Sequence, residues 1–273
     1  MTRKRTLGPT ETRLLNRLAA DGHVVFSTAQ ARAALNGEGR HVNKLLHRLT
    51  QKRWLLRLEK GKYLLLPLEA GMEGLYGPHE FIIAAHLVEP YAVAYASAFS
   101  FYGFSDLLPH TVFVATTRRK APLTVDELGL RFRFVTLTPH KLFSIHTVII
   151  EDHPVRITTP SKTLVDGLDR PDLCGGIVEL VKGVLHYAED YADWEELTAD
   201  AIRLGNRTVF KRLGYLTEVT EVEVGEWLDR WRTEISTGET LLDPRYGDRG
   251  RYDSDWNLRL NVSEDQLLEW QRT

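Results

Sequence analysis

The chain of 273 residues is long for one domain and natural for two, with enough sequence to bury a sizeable core. Its apolar fraction of 43% and charged fraction of 26% are ordinary globular values, so overall composition excludes no soluble class. The net charge of −2 conceals a division: residues 1–66 carry fourteen Lys or Arg against four acids, and the remainder carries 21 against 33. Net charges of +10 and −12 in the two parts of one chain favour a polyanion-binding segment joined to a segment that does not bind polyanions. A lysine-rich solvated surface explains the charge equally well.

The cysteine count and the apolar pattern bound the location of the protein. Cys174 is the single cysteine, which excludes an internal disulfide and a multi-cysteine zinc site. No apolar leader follows Met1, and together these features predict a cytoplasmic protein. The longest apolar stretch, Phe81 to Phe104, is interrupted by His86 and Glu89-Pro90, so it predicts two buried helices and no membrane span.

The first elements in chain order are two helices around a short apolar run. Pro9 suits the first turn of a helix that ends at Asp21-Gly22. After the run His23–Phe26, Ser27 and Thr28 are good N-caps for a second helix through Leu35. Asn36-Gly37 then predicts a stop before a third helix that begins near Glu38.

The third helix has one apolar face and one polar, basic face. Val42, Leu45, Leu46 and Leu49 repeat at the spacing of a core-facing stripe. The opposite face carries side chains that donate to phosphates and read base edges in the major groove. They are Arg40, His41, Asn43, Lys44, His47, Arg48 and Gln51.

Two short strands around Lys60-Gly61 follow this helix, and they complete the order of a winged helix-turn-helix. Lys60 and Lys62 at the hairpin are expected to touch the DNA backbone or the minor groove. Arg3, Lys4 and Arg5 are expected to form an arm on phosphate. Ser27 and Thr28, at the start of the second helix, are also predicted to contact DNA. A winged helix that serves only as a protein-interaction module is the alternative; the charge and the third helix favour double-stranded DNA.

Residues 67–78 contain three glycines and two prolines, which predicts a linker between a DNA-binding domain at 1–66 and a larger domain at 79–273. The larger domain is expected to be mixed α/β. Helices are predicted at 79–89 and 97–103, strands at 111–117 and 130–137, a hairpin at 144–157, a mostly helical region over 161–236 and a last strand at 256–261. The overall class is α/β, in the α+β sense: a winged helix plus a domain with a small sheet and a helical C-terminal part.

Catalytic and metal-binding patterns are missing from the sequence. The histidines form no i, i+4 pair, and no phosphate-binding glycine loop occurs. No lysine has an acid two residues before it, as a restriction-type nuclease requires. Asp253 and Asp255 have the spacing of a nucleotidyltransferase pair but lack its glycine-serine turn, so solvated surface acids are the better interpretation. We therefore expect no enzyme activity, no cofactor and no bound metal.

Motifs of the larger domain resemble those of AbiEi-type antitoxins. They are Ala92–Phe104 followed by Val112–Thr116, Ile157–Pro171 with Gly175-Gly176, Arg212–Leu216 and Trp256–Asn261. The resemblance implies a repressor that binds inverted repeats upstream of its own two-gene operon. It also implies a companion nucleotidyltransferase-like toxin, counteracted directly or indirectly, and it supplies no catalytic residues.

Two landmarks within these motifs have physical interpretations. Arg212 lies on a helix and is expected to clamp a carboxylate or a carbonyl. Lys162 and Asp166, at i and i+4, are expected to form a surface pair on a helix that starts at Pro160-Ser161.

Two other functions stay open at this point. The first is a ligand-responsive transcription factor in which the aromatic-rich segment 91–104 lines a pocket. The second is a DNA-processing enzyme with a degenerate site around Asp253 and Asp255.

Overall fold

The structure, a computed structural model, describes residues 6–35, 41–66, 77–106 and 109–272. It has the expected α/β class: a small three-helix unit with its own antiparallel sheet, followed by a larger unit with a mixed sheet and a helical C-terminal part.

The N-terminal unit has the predicted element order. It consists of α1 (Pro9–Ala20), β1 (Val25–Ser27), α2 (Thr28–Ala34), α3 (Val42–Gln51), β2 (Leu55–Glu59) and β3 (Lys62–Leu65). The sheet order is β1-β3-β2, with both pairs antiparallel. The apolar stripes of the three helices meet in one core that contains Leu14, Leu18, Leu46 and Leu49. The helices and hairpin therefore form the winged helix that the periodicity predicts.

The larger unit begins with a six-stranded mixed sheet. Its elements are α4 (Glu80–Ala85), β4 (Ala92–Val93), α5 (Ala96–Phe101), β5 (Thr111–Thr116), β6 (Leu123–Val125), β7 (Leu130–Thr136), β8 (Ile145–Ile150) and β9 (His153–Thr158). The strand order is β6-β7-β5-β4-β9-β8, in which β5 with β7 and β4 with β9 are the parallel pairs.

Helices and a second small sheet complete the chain. They are α6 (Pro160–Asp169), α7 (Ile177–Asp190), α8 (Trp194–Leu204), α9 (Thr208–Val219), α10 (Trp227–Glu234), β10 (Thr240–Leu241), β11 (Arg251–Asp253), β12 (Leu258–Leu260) and α11 (Glu264–Leu268). Helix α6 lies against α7, α8 and α9 and is the centre of this layer.

The boundaries of several predicted elements are corrected by the structure. Helix α4 ends at Ala85 instead of residue 89, and α5 spans Ala96–Phe101. The last strand is three residues long, Leu258–Leu260. The predicted start of the third helix near Glu38, and most of the predicted linker 67–78, lie outside the described residues.

The expected surface pair of Lys162 and Asp166 is wrong. Both side chains are buried, at 1% and 3% exposure, and the Lys162 ammonium bonds the Asp166 carboxylate inside the helical layer. The ammonium also lies 4.5 Å from the centre of the Phe143 ring. Because helices α7, α8 and α9 cover α6, this pair is buried although its i, i+4 spacing is typical of exposed ion pairs.

Arg212 clamps backbone carbonyls, as expected. Its guanidinium donates to the carbonyl oxygens of Leu168, Leu241 and Leu242 at 2.6–3.0 Å. Burial lowers its pKa to about 10, which leaves it protonated at neutral pH. The side chain ties α9 to the end of α6 and to β10, three segments distant in sequence.

The wing sheet shares a hydrophobic core with the larger unit. The side chains of strand β2 belong to two cores. Leu55 packs in the core of the three helices. Leu56 and Leu58 are in the core that also contains Phe81 and Ile82 of α4. One face of the wing is thus covered by the larger unit. No helix among the described residues is long and apolar enough to cross a membrane.

Candidate nucleic-acid interface

Helix α3 presents the predicted polar face to solvent. Val42, Leu45, Leu46 and Leu49 are each at most 4% exposed. His41, Asn43, Lys44, His47, Arg48 and Gln51 are exposed. Six polar side chains on one accessible helix face form a surface of the size and chemistry that a major groove accepts.

Two contacts order part of this face. Gln51 and His47, one turn apart, are joined through Nε2 of each at 2.9 Å. Arg48 is 62% exposed, and its Nε lies 3.8 Å from Glu11 of α1. That contact is long and solvent-screened, so the guanidinium remains accessible to a ligand.

A buried carboxylate fixes α3 against α1. Glu11 accepts from Lys52 Nζ at 2.6 Å and from the Gly8 backbone N–H at 2.8 Å. Burial by itself raises the pKa of Glu11, but the hydrogen bonds from Lys52 and Gly8 outweigh it and hold the pKa below its usual value. Lys52 also donates to the Thr6 carbonyl at 2.9 Å. Helix α3 is therefore held at its C-terminal end by contacts with α1 and with Thr6.

Ser27 and Thr28 have structural partners. Ser27 accepts from the Gln30 backbone N–H at 3.2 Å, and its own N–H donates to Gln30 Oε1 at 2.7 Å, which completes a capping box. The Thr28 N–H donates to the Gly61 carbonyl at 2.9 Å, joining α2 to the turn of the wing. Contact of Ser27 and Thr28 with DNA stays a prediction.

The two wing lysines differ. Lys60 is exposed at the tip. Lys62 Nζ donates to the Leu87 carbonyl at 2.8 Å and pairs with Glu59 at 3.1 Å. Lys120 of the larger unit reaches the same Glu59 at 2.5 Å. Burial alone raises the Glu59 pKa, but hydrogen bonds from Lys120 and Lys62 hold it below its usual value. The wing is thus bound to the larger unit by one ion pair and one hydrogen bond as well as by its apolar face.

Sequence reasoning missed a basic segment beside the wing. Arg118 and Arg119 are exposed between β5 and β6, next to Lys120. The sequence does show a run of three cations after a strand. Its position beside the hairpin, however, depends on the contact between Lys120 and Glu59, which are 61 residues apart. Of the other predicted contacts, Arg3, Lys4, Arg5 and Arg40 lie outside the described residues.

Of the two acids considered for catalysis, Asp253 stabilises a turn. Asp253 Oδ1 accepts the Trp256 N–H at 2.9 Å between β11 and β12, and Asp255 is exposed. Among the described residues, no group of three or more His, Cys, Asp or Glu is arranged to hold a metal ion.

The N-terminal unit is similar to a known protein family over most of its length. Residues 13–66 match the family described as transcriptional regulator, AbiEi antitoxin. The resemblance to AbiEi-type antitoxins is confirmed over this segment. The match begins in α1 and ends directly after β3, so the matched segment coincides with the winged helix. The motifs quoted for the larger unit lie beyond it.

The similarity of fold extends over the whole chain. The crystal structure of the RV2827C protein from Mycobacterium tuberculosis is similar with a TM-score of 0.70 at 17% identity. It covers 99% of this chain and 97% of that one. At this identity the likeness shows the fold alone. Among curated proteins, none matches this sequence.

Proposed function

We propose that this protein is an antitoxin and DNA-binding repressor of its own two-gene operon, and that it counteracts a nucleotidyltransferase-like toxin. The observation that carries the DNA-binding half is the exposed polar face of α3 in an AbiEi-type winged helix. The balance of +10 within residues 1–66 supports the same half, because phosphate neutralisation supplies much of the affinity for DNA.

Base reading is tested by a footprint on the DNA upstream of the protein's own gene. We expect Arg48→Ala to cost about 1–3 kcal/mol of binding free energy and to relax specificity, and Lys60→Ala to weaken all sequences alike. Arg249→Ala is the matched control, since Arg249 is exposed and remote in sequence.

Salt dependence gives a second, independent reading of the same proposal. Neutralising about 6–8 phosphates predicts a log–log slope near −5 to −7 between affinity and salt concentration. Affinity independent of salt, or no inverted repeat in the footprint, would contradict the DNA-binding half.

The antitoxin half is tested by co-expression with the neighbouring gene. We expect the neighbour alone to arrest growth, and co-expression of this chain to restore it. Arg48→Ala is the informative variant here, because retained rescue with lost repression would assign the two activities to different surfaces. A harmless neighbour, or toxicity that this chain leaves unchanged, would refute the antitoxin half.

A ligand-responsive regulator is the second candidate, and one cavity favours it. A cavity of about 290 Å³ is lined by residues that include Ala96, Phe99, Phe113 and Cys174. Ala96→Leu should fill part of it. If a metabolite changes operator affinity for the wild type and this change is lost in Ala96→Leu, the ligand-responsive function is supported; an operator affinity that no metabolite changes refutes it.

A further inference from the structure

A basic cleft lies where the wing meets the larger unit. It has a volume of about 370 Å³, opens to solvent, and has Lys62 of the wing on one side and residues 118–120 on the other. The contacts of Lys120 with Glu59 and of Lys62 with the Leu87 carbonyl hold the two sides together. The position of the cleft is therefore fixed relative to the hairpin.

The acids at this cleft are already neutralised. Glu59 pairs with both Lys62 and Lys120, and Glu89 bonds Arg156 at 2.5 Å. Arg118 and Arg119 are exposed, and neither guanidinium has an acidic partner within the described part of the chain. Two adjacent forks of N–H donors thus stay available for an external anion.

We propose that Arg118 and Arg119 bind backbone phosphates of DNA beside the wing, so that the larger unit adds contacts to those of the winged helix. This rests on the proposed DNA-binding function. Lys62 is held by protein partners, and Lys60 is the exposed lysine of the turn. The arginine pair supplies the cations that Lys62 does not, and guanidinium forks suit phosphate oxygens. The open cleft favours a continuous strand over an enclosed free anion.

The test compares two double variants that remove equal charge. Arg118→Ala/Arg119→Ala removes the proposed contacts. Arg131→Ala/Arg249→Ala is the control: Arg131 is exposed on β7, opposite Thr111 at the far end of β5 from residue 118. Affinity of the full chain for the footprinted DNA is measured between 50 and 200 mM salt.

We expect the cleft variant to lose about 1.8 from the magnitude of the salt slope, because each phosphate contact contributes about 0.9. The ratio of its affinities at the two salt concentrations is then about twelvefold smaller than that of the wild type, and base preference is unchanged. Shortening the DNA flank beside the wing should weaken the wild type and leave the cleft variant unaffected.

Equal slopes for the two double variants, with wild-type DNA binding intact, overturn this inference alone. If the wild type does not bind the DNA, or if Arg48→Ala leaves the affinity for DNA unchanged, the proposed function is refuted instead. A titration with inorganic phosphate at constant ionic strength distinguishes a DNA backbone phosphate from a free anion as the ligand of the cleft. Protection of residues 118–120 from hydrogen exchange by phosphate, together with equal slopes, would assign the cleft to a free anion and contradict the DNA contact.

Discussion

The buried charges of α6 show how a single side chain depends on its surroundings. Burial is the main cause that raises the pKa of Asp166 to about 6, and Lys162 opposes it. One oxygen, Asp166 Oδ2, accepts no hydrogen bond from the described residues. The folded state therefore holds a proton that the unfolded chain releases at lower pH. Asp166 accordingly stabilises the fold less as pH rises from about 4 to about 6.

The first prediction concerns this pair. Lys162→Met should cost about 3–5 kcal/mol of unfolding free energy at pH 7.5, because it leaves a buried carboxylate without its cation. The cost should shrink at pH 5, where Asp166 takes up a proton more readily. Urea unfolding at the two pH values measures both. Lys162→Met/Asp166→Leu removes both charges. This double variant should regain most of the lost unfolding free energy, and its stability loss should no longer depend on pH. An equal loss in the single and double variants would contradict this account.

Charge spacing could not predict this burial. Lys162 and Asp166 have the i, i+4 spacing of exposed helix pairs, and such residues are almost never buried unless paired. The cover comes from α7, α8 and α9, which follow later in the chain. Arg212 was easier to interpret, since its neighbours Leu213 and Leu216 are apolar and direct the helix inward. Its three carbonyl partners were still not predictable, because β10 is far away in sequence.

At the scale of elements, close helix contacts depend on glycine. Gly167 of α6 faces α7 and α5, and a Cβ there would lie 2.6 Å from Leu180 and 2.8 Å from the Phe99 ring. Leu180 and Phe99 are at most 1% exposed and have no room to move. The absence of a side chain at Gly167 therefore sets the distance between three helices.

The second prediction uses this contact. In an open helix, Gly→Ala stabilises by about 1 kcal/mol. Gly167→Ala should instead destabilise by about 1–3 kcal/mol through overpacking. Chemical denaturation measures the sign, with Gly247→Ala as control because a Cβ there meets nothing within 4 Å. Stabilisation by Gly167→Ala would show that the helices separate freely.

Local patterns predicted some elements and missed others. The α3 stripe and the β8–β9 hairpin follow from adjacent residues, the hairpin through the turn at Glu151 and Asp152, which both have positive φ. Strand β4 has two residues inside an apolar run and is defined by its neighbours β5 and β9. The polar face of α3 was predictable for the same local reason, whereas the position of Arg118 and Arg119 depends on the docked wing.

At the scale of the whole molecule, the wing connects the two units. Val25, Leu56, Leu58, Leu64 and Leu66 belong to the same buried cluster as α4 and the six-stranded sheet. The predicted boundary after residue 66 divides the sequence where charge and composition change. It does not divide the apolar core, because the two units bury a common face.

The third prediction follows from that face. Leu58→Ala should destabilise by about 2–5 kcal/mol and should loosen both units together. Hydrogen exchange should rise in β3 and in α4 alike. Leu18→Ala is the control, since Leu18 lies only in the core of the three helices. Faster exchange confined to the N-terminal unit in Leu58→Ala would contradict the shared core.

The docked wing also limits how the N-terminal unit can be transferred to another protein. A chimera that carries residues 1–66 on a foreign effector would expose Leu56 and Leu58 to water and leave Glu59 without Lys120. Such a graft should aggregate unless the new partner offers an apolar surface and a cation at matching positions. We therefore expect that residues on the two sides of the contact between the wing and the larger unit change together when such units are exchanged between proteins.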